Sequence, residues 1–237
     1  MKNRIMFFIV IILSCLVSAF PTSAVPDQVR QLETIADNAP EWQQKEVFGL
    51  WGYTVTDLDQ NGRLEIISAS LQGTGMYTYI IILEVDEEGT GLSEVRQDRE
   101  EYMSPPDIMI DHAPVYHDTE TGIFYYLFDD FIRNGYAQLY ENKRTVSLKD
   151  GVWSETMLAY KETLYTDADH FTVSYTDAAG NEIDENRYSS IAETFFGTAD
   201  WNKAVFNWQT CDEESFTAMD RDALLESLKE ALFSIDQ

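Results

Sequence analysis

Hydrophobic positions along the chain change from a helical spacing near the N-terminus to short strand-like runs in the middle. Apolar residues at helical spacing predict an amphipathic helix over residues 25–39 that Pro40 ends. From about residue 47 to 176, β-branched and aromatic runs alternate with turn dipeptides such as Asn61-Gly62 and Asn134-Gly135. The predicted strands are Phe48–Thr56, Leu64–Ser70, Tyr77–Val85, Ile108–Tyr116, Gly122–Phe128, Tyr136–Tyr140, Val152–Tyr160 and Phe171–Tyr175.

The spacing of these runs leaves no room for crossover helices, so we expect antiparallel pairing. Near the C-terminus, Asp184 can cap a helix from Glu185 to about Phe196, and a last helix begins near Ser215 or Asp220. The apolar stripe of that last helix is Leu224, Leu225, Leu228, Leu232 and Ile235. The pattern therefore predicts an α+β fold, predominantly antiparallel β with about seven to nine strands. It has an N-terminal helix and two C-terminal helices, and it forms a single domain over residues 25–237.

The first 24 residues have the pattern of a secretory signal peptide. Lys2 and Arg4 precede an apolar run over Ile5–Leu13, and Thr22-Ser23-Ala24 supplies small residues for cleavage before Val25. The uncharged stretch ends at Phe20 and is shorter than the roughly 20 residues of a membrane span. We therefore expect a protein that is secreted or held at the cell surface.

A second processing route competes with this cleavage. Ile12-Leu13-Ser14-Cys15 resembles the bacterial lipobox, which implies a lipid anchor at Cys15, and an uncleaved anchor is the third alternative. Either cleavage leaves Cys211 as the one unmodified cysteine, so no intrachain disulfide is expected. Nothing cationic flanks Cys211, which favours a small buried hydrophobe over a reactive thiol.

Composition and charge narrow the class of protein. Of the 237 residues, 44% are hydrophobic and 13% are aromatic, which excludes a disordered acidic tail. The net charge is −26, with 16 Lys and Arg against 42 Asp and Glu. Because nucleic acids and anionic lipid surfaces attract cations, this charge argues against both as partners.

One acidic loop carries the clearest chemical pattern. Oxygen-bearing side chains occur at alternate positions from residue 57 to 61, and Gly62 follows for the sharp turn. Calcium takes six to eight oxygen ligands from carboxylates and carbonyls, whereas magnesium requires a tighter octahedron. The predicted calcium ligands are Asp57, Asp59, Asn61, Arg63 through its carbonyl, and Glu65.

A turn without metal is the alternative for this loop. Asp and Asn side chains bond their own backbone, and Asn61-Gly62 suits a type I′ hairpin. The loop is not a complete EF-hand, because Ser68 occupies position twelve, where that motif has a bidentate Glu. If calcium binds, we expect a structural ion that holds the turn between the first two strands.

The pattern D-x-D-x-N-G-x-x-E between two strands resembles the calcium loop of FG-GAP or VCBS-type repeats. Such repeats occur in integrin-like propellers and in many secreted bacterial proteins. The wider chain, including the strand–turn–helix pattern over residues 173–188, resembles a family of uncharacterised secreted proteins and lipoproteins of Gram-positive gut bacteria. This resemblance implies an extracellular location and adds no reaction.

Other candidate sites have plainer interpretations. His112 and His117 would point to opposite faces of one strand, and Gly73-Thr74-Gly75 suits a hairpin turn. Asp129-Asp130 could serve glycoside hydrolysis only at a suitable separation in space. The aromatic residues at 124–128, Trp201, Phe206 and Trp208 fit core packing, with sugar or protein contacts as the alternative.

These observations favour a non-catalytic extracellular domain with a structural calcium loop. We expect this domain to bind a protein or glycan partner. No catalytic residue is predicted. The alternative is a secreted hydrolase that uses Asp or Glu side chains or a dispersed triad. An acidic mimic of a polyanion is the third hypothesis, and only the net charge supports it.

Overall fold

The structure is a computed structural model that describes residues 27–43, 51–72, 77–98, 108–167, 169–197 and 201–236. The predicted signal peptide over 1–24, the lipid anchor at Cys15 and the turn at 73–75 lie outside these residues. The first predicted strand therefore begins, within the described residues, at Trp51.

The predicted fold class is confirmed: the described chain is α+β and mostly antiparallel. The helices are α1 (Gln28–Asp37), α2 (Ala39–Trp42), α3 (Glu185–Ser189), α4 (Ile191–Phe196), α5 (Glu213–Thr217) and α6 (Arg221–Glu230). The first strands are β1 (Trp51–Thr56), β2 (Glu65–Gln72), β3 (Tyr77–Val85), β4 (Leu92–Glu94), β5 (Arg96–Asp98) and β6 (His112–Asp118). The remaining strands are β7 (Ile123–Asn134), β8 (Gln138–Lys149), β9 (Val152–Tyr165), β10 (Phe171–Asp177), β11 (Asn202–Val205), β12 (Gln209–Cys211) and β13 (Ser234–Asp236).

The strands form two sheets. The smaller sheet has the order β12-β1-β2-β3-β4, and the larger has the order β10-β9-β8-β7-β6-β11-β13, with β5 pairing parallel to β9. Short strands of three or four residues account for the excess over the seven to nine that were predicted. Such short strands carry too few alternations to stand out in a sequence pattern.

Three hydrophobic clusters hold these layers together. The first packs α1, α2, α5 and α6 on the outer face of the small sheet, and Leu32 and Leu228 both belong to it. The second fills the space between the two sheets and includes Ile67 of β2, Phe128 of β7 and Trp153 of β9. The third packs α3 and α4 on the other face of the large sheet. Burial of apolar area in these layers is the main stabilising term of such a fold.

The C-terminal segment connects the two sheets. The Val55 N–H donates to the Ala231 carbonyl at 3.0 Å, and the Phe233 N–H donates to the Val55 carbonyl at 2.8 Å. A few residues later, Ile235 in β13 pairs with Ala204 in β11 of the large sheet. The apolar stripe had placed Ile235 on the last helix. The structure places it in strand β13 instead.

The helix predictions need local corrections. The prediction that Pro40 ends the first helix is wrong: α1 ends at Asp37, and Pro40 lies in the first turn of α2. Proline fits there because first-turn N–H groups have no intrahelical acceptor. Asp184 caps α3 as predicted, accepting from the Arg187 N–H at 2.7 Å, but the predicted helix is divided into α3 and α4.

The long central strands extend beyond the predicted ones. β7 continues through Asp129-Asp130 because Asp130 is buried in an ion pair with Arg144. The Arg144 Nη1 also contacts the Glu155 Oε2 at 3.2 Å. The strand through Tyr126 and Phe128 is central in the large sheet, since β7 has a neighbour on each side, and both of these side chains are buried.

Candidate metal centre

The acidic loop lies where it was predicted, as the connection between β1 and β2. Gln60 and Gly62 have positive φ angles of 55° and 86°, a conformation that glycine adopts without steric cost. The Asp57 Oδ2 accepts a hydrogen bond from the Gly62 N–H at 3.1 Å, which folds the loop back on its first residue. The loop therefore returns the chain to Glu65 at the start of β2.

Three carboxylates converge inside this loop. Asp57, Asp59 and Glu65 each place one oxygen within 4.8 Å of an oxygen of the other two. Ligand oxygens that lie 2.3–2.6 Å from one calcium ion are separated by distances of up to about 5 Å. The three predicted acidic ligands are thus brought together at a separation that one calcium ion can bridge.

Glu65 is the most constrained of the three. Its side chain is 0% exposed, and its Oε2 accepts from the Thr56 hydroxyl at 2.8 Å and from the Leu58 N–H at 2.9 Å. Its other oxygen, Oε1, is buried without a hydrogen-bond partner among the described residues. Burial raises the pKa of Glu65 well above its ordinary value, and the charges of Asp59 and Asp57 add to the shift.

The pKa values of the two aspartates are raised as well. Burial, with the nearby charge of Asp59 as the second cause, raises the pKa of Asp57 to about 6. The hydrogen bond from the Gly62 N–H opposes this shift. Burial also raises the pKa of Asp59. A cation bound among the three carboxylates would lower all three pKa values.

Asn61 and Arg63 make different contacts within the loop. The Asn61 Nδ2 donates to the Asp59 Oδ2 at 3.0 Å, while its Oδ1 accepts from the Arg63 N–H at 2.6 Å. The Arg63 guanidinium forms an ion pair with Glu84 at 2.8 Å. The Asn61 amide is thus placed beside the carboxylates with its nitrogen toward them, so coordination through Oδ1 requires a rotation of this amide.

Glu84 is a functional residue that sequence reasoning missed. It is directly opposite Glu65 across β2 and β3, is 4% exposed, and accepts from the Asn61 Nδ2 at 2.9 Å. Burial raises the pKa of Glu84, although the Asn61 bond and the Arg63 charge oppose the shift. The available signal was a glutamate inside the apolar run Ile80–Val85.

Elements from both sides hold the loop in place. Gln31 of α1 is 1% exposed; its Nε2 donates to the Gly62 carbonyl at 2.9 Å, and its Oε1 accepts from the Leu64 N–H at 2.7 Å. From the large sheet, the Tyr126 hydroxyl donates to the Leu58 carbonyl at 2.7 Å. The loop therefore joins the N-terminal helix to both sheets.

The remaining titratable candidates lie away from this cluster. His112 and His117 are exposed on β6, and the His117 ring is stacked on Phe124 at 4.1 Å. His170 is exposed and bonds to Asp167 through Nδ1 at 2.8 Å. Cys211 is a buried free cysteine, and burial raises the pKa of its thiol to about 12, in agreement with the predicted inert role.

Comparisons of the chain with protein-family models, with curated proteins and with solved structures find no match. The resemblance to FG-GAP or VCBS-type loops therefore stays a prediction from the sequence. Among the helices in the described ranges, none has the length and apolar composition to span a membrane.

Proposed function

We propose that the loop over residues 57–65 binds one calcium ion and that this ion stabilises a non-catalytic extracellular domain. Asp57, Asp59 and Glu65 are the carboxylate ligands of this proposal. Asn61 through Oδ1, after rotation of its amide, and Arg63 through its carbonyl complete the set. The observation that carries the proposal is the buried, unpartnered Oε1 of Glu65.

The argument rests on the energetics of burying a carboxylate. A buried polar atom without a partner costs about 1–3 kcal/mol, and more if it is charged. Here the unpartnered oxygen lies in a side chain that is close to two further carboxylates. A divalent cation removes the repulsion and supplies the partner. Calcium suits the site better than magnesium, because it accepts several carboxylates in irregular geometry.

The contacts of the loop favour a structural role for the ion. Glu65 has no exposed surface, so one side of the site faces the protein interior. Gln31 from α1 and Tyr126 from β7 bond to the loop backbone. An ion at this junction stabilises the attachment of the N-terminal helix and of the large sheet to β1 and β2.

Location and partner belong to the same proposal. The N-terminal sequence pattern supports export, by cleavage after Ala24 or by lipidation at Cys15. The loop pattern resembles FG-GAP or VCBS-type repeats, which supports an extracellular setting with abundant calcium. The net charge of −26 argues against nucleic acid and leaves a protein or glycan partner.

A secreted hydrolase is the second candidate, and one observation favours it. Asp57 lines a cleft of about 260 Å³, and Asp57 and Asp59 lie within 4.8 Å of each other with raised pKa values. Retaining glycosidases use two carboxyl groups about 5–5.5 Å apart. Hydrolysis of chromogenic glycosides by calcium-free protein, lost in Asp57→Asn, would favour this candidate over the structural ion.

Thermal unfolding tests the calcium proposal directly. With a dissociation constant of about 10⁻⁴–10⁻³ M, about 10 mM Ca²⁺ should raise Tm by about 3–10 °C over metal-free protein. Asp59→Ala should remove this rise. Asp169→Ala is the matched control, because Asp169 is exposed and lies outside the loop. Equal melting curves with and without Ca²⁺ would contradict the proposal.

A further inference from the structure

A second cleft, separate from the acidic loop, opens where β6 and β7 meet the end of α4. Its volume is about 370 Å³, and its walls include Tyr116, Asp118, Glu120, Tyr125, Phe195 and Phe196. Tyr116 and Tyr125 are direct neighbours across the antiparallel pair, so their side chains share one face of the large sheet. The volume is within the range of small-molecule pockets, about 300–1,000 Å³.

Aromatic rings form one wall of this aromatic cleft. The Phe196 ring centre lies 4.9 Å from that of Tyr116 and 5.1 Å from that of Tyr125, with the rings tilted by 43° and 45°. Phe195 packs edge-on against Phe196 at 4.7 Å but stays 53% exposed. Four aromatic rings therefore come together in a region that remains open to solvent.

Carboxylates form the other wall. Asp118 is fixed by the Thr121 hydroxyl at 2.7 Å and by the Glu120 N–H at 2.9 Å, so its charge stays in place. Asp118 and Tyr125 line the same cleft, and the charge of Asp118 adds to the burial that raises the pKa of Tyr125. The described lining contains two acidic side chains and no basic one.

We propose that the aromatic cleft binds an organic ammonium ion. Aromatic faces attract cations through the ring quadrupole, and the attraction reaches about 2 kcal/mol when the cation is desolvated. Asp118 and Glu120 supply the counter-charge. An anion would be repelled by both walls, and a neutral ligand would gain no attraction from the charge of the two carboxylates. The site is independent of the calcium loop.

Paired ligands of equal shape and different charge test this proposal. The purified protein is titrated by calorimetry with choline and with 3,3-dimethylbutanol, in which a neutral carbon replaces the quaternary nitrogen, at constant ionic strength. We expect choline to bind saturably and at least tenfold more tightly than the neutral alcohol. Equal affinities, or no binding by any ammonium ligand, would overturn the proposal.

A third titration identifies the kind of ammonium group. Nα-acetyl-lysine amide presents a primary ammonium on a flexible chain, as a partner protein would. Tighter binding of choline assigns the cleft to a small quaternary ligand, and tighter binding of the lysine derivative assigns it to a basic side chain. Both results support the aromatic cleft as an ammonium site.

Variants locate the binding. Phe196→Leu should abolish choline binding, because it removes the ring that touches both tyrosines. Glu120→Gln, an exposed change that leaves the backbone bonds of the turn intact, should weaken binding three- to tenfold. Glu214→Gln is the matched control, since it removes one exposed negative charge from α5. Equal weakening by Glu214→Gln would show non-specific attraction to the acidic surface and would overturn the proposal.

Discussion

Glu65 and Glu84 lie directly opposite each other on β2 and β3, and both are buried. Like charges in this position destabilise a sheet unless a cation compensates them. Glu84 has its cation within the chain, because the Arg63 guanidinium lies 2.8 Å away. Glu65 instead accepts hydrogen bonds from two uncharged donors, the Thr56 hydroxyl and the Leu58 N–H. Two further carboxylates lie close to it. This asymmetry explains why the proposed ion is assigned to the side of Glu65.

Replacement of Glu65 by glutamine should separate the charge of this residue from its packing. Glu65→Gln removes the buried negative charge and keeps the size of the side chain. We expect Tm without calcium to rise by about 2–4 °C, a change of about 1 kcal/mol, and the response to Ca²⁺ to disappear. Differential scanning calorimetry measures both. A variant that still gains stability from Ca²⁺ would contradict a role for Glu65 as a ligand.

Metal-free protein should lose stability as the pH rises. Asp57, with a pKa of about 6 in the folded state, binds its proton more tightly when folded than when unfolded. Its stabilising contribution is therefore complete below pH about 4 and is lost as the pH rises through 6. Tm measured from pH 4.5 to 7.5 should show this loss in metal-free buffer. Saturating Ca²⁺ should flatten it, and Asp57→Asn should reduce it in part, because burial also raises the pKa values of Asp59, Glu65 and Glu84. Identical profiles in all three cases would refute the linkage.

The hydrogen bonds between Gln31 of α1 and the loop lead to a third prediction. Gln31→Leu leaves the Gly62 carbonyl and the Leu64 N–H without the partners they have now. At about 1–3 kcal/mol for the buried Leu64 N–H and about 1 kcal/mol for the part-buried Gly62 carbonyl, the free energy of unfolding should fall by about 2–4 kcal/mol, and calcium affinity should fall with it. Chemical denaturation at fixed calcium checks the first effect. Gln28→Leu, at an exposed position of the same helix, is the control and should stay within about 0.5 kcal/mol.

The buried ion network of the large sheet gives a fourth prediction. Arg144→Met removes the guanidinium that pairs with the buried Asp130 and with the largely buried Glu155. Loss of one partner of a buried pair costs about 3–5 kcal/mol. Lys229→Met breaks an exposed pair with Glu226 instead and should cost less than about 1 kcal/mol. Urea unfolding compares the two, and similar losses would mean that the network contributes no more than a surface pair.

Local signals explain what could be predicted from the sequence. The sharp turn at Gly62 and the cap at Asp184 depend on residues within a few positions of each other, and both lie where expected. The type I′ form suggested for Asn61-Gly62 is not adopted, because Gly62 has a positive φ angle and Asn61 does not. Glu84 and Gln31 could not be found in this way. They reach the loop through strand pairing and helix docking, which a single sequence does not display.

Misjudged boundaries have the same origin. The predicted strand ended at Phe128, because two aspartates follow it, yet β7 continues to Asn134. The buried Asp130 is accommodated in the strand with Arg144 of β8 as an ion-pair partner. A buried charge is compatible with a strand when the neighbouring strand carries the opposite charge, and this depends on register.

The first hydrophobic cluster joins residues from both ends of the described chain. Leu32 of α1 and Leu228 of α6 belong to it together, and Asp37 and Arg221 link the same two helices at 2.6 Å. Contacts between residues so distant in sequence carry a large loop-closure entropy and form late in folding. On a ribosome, α5 and α6 would therefore complete the cover of this face of the small sheet only after almost all of the polypeptide had been synthesised.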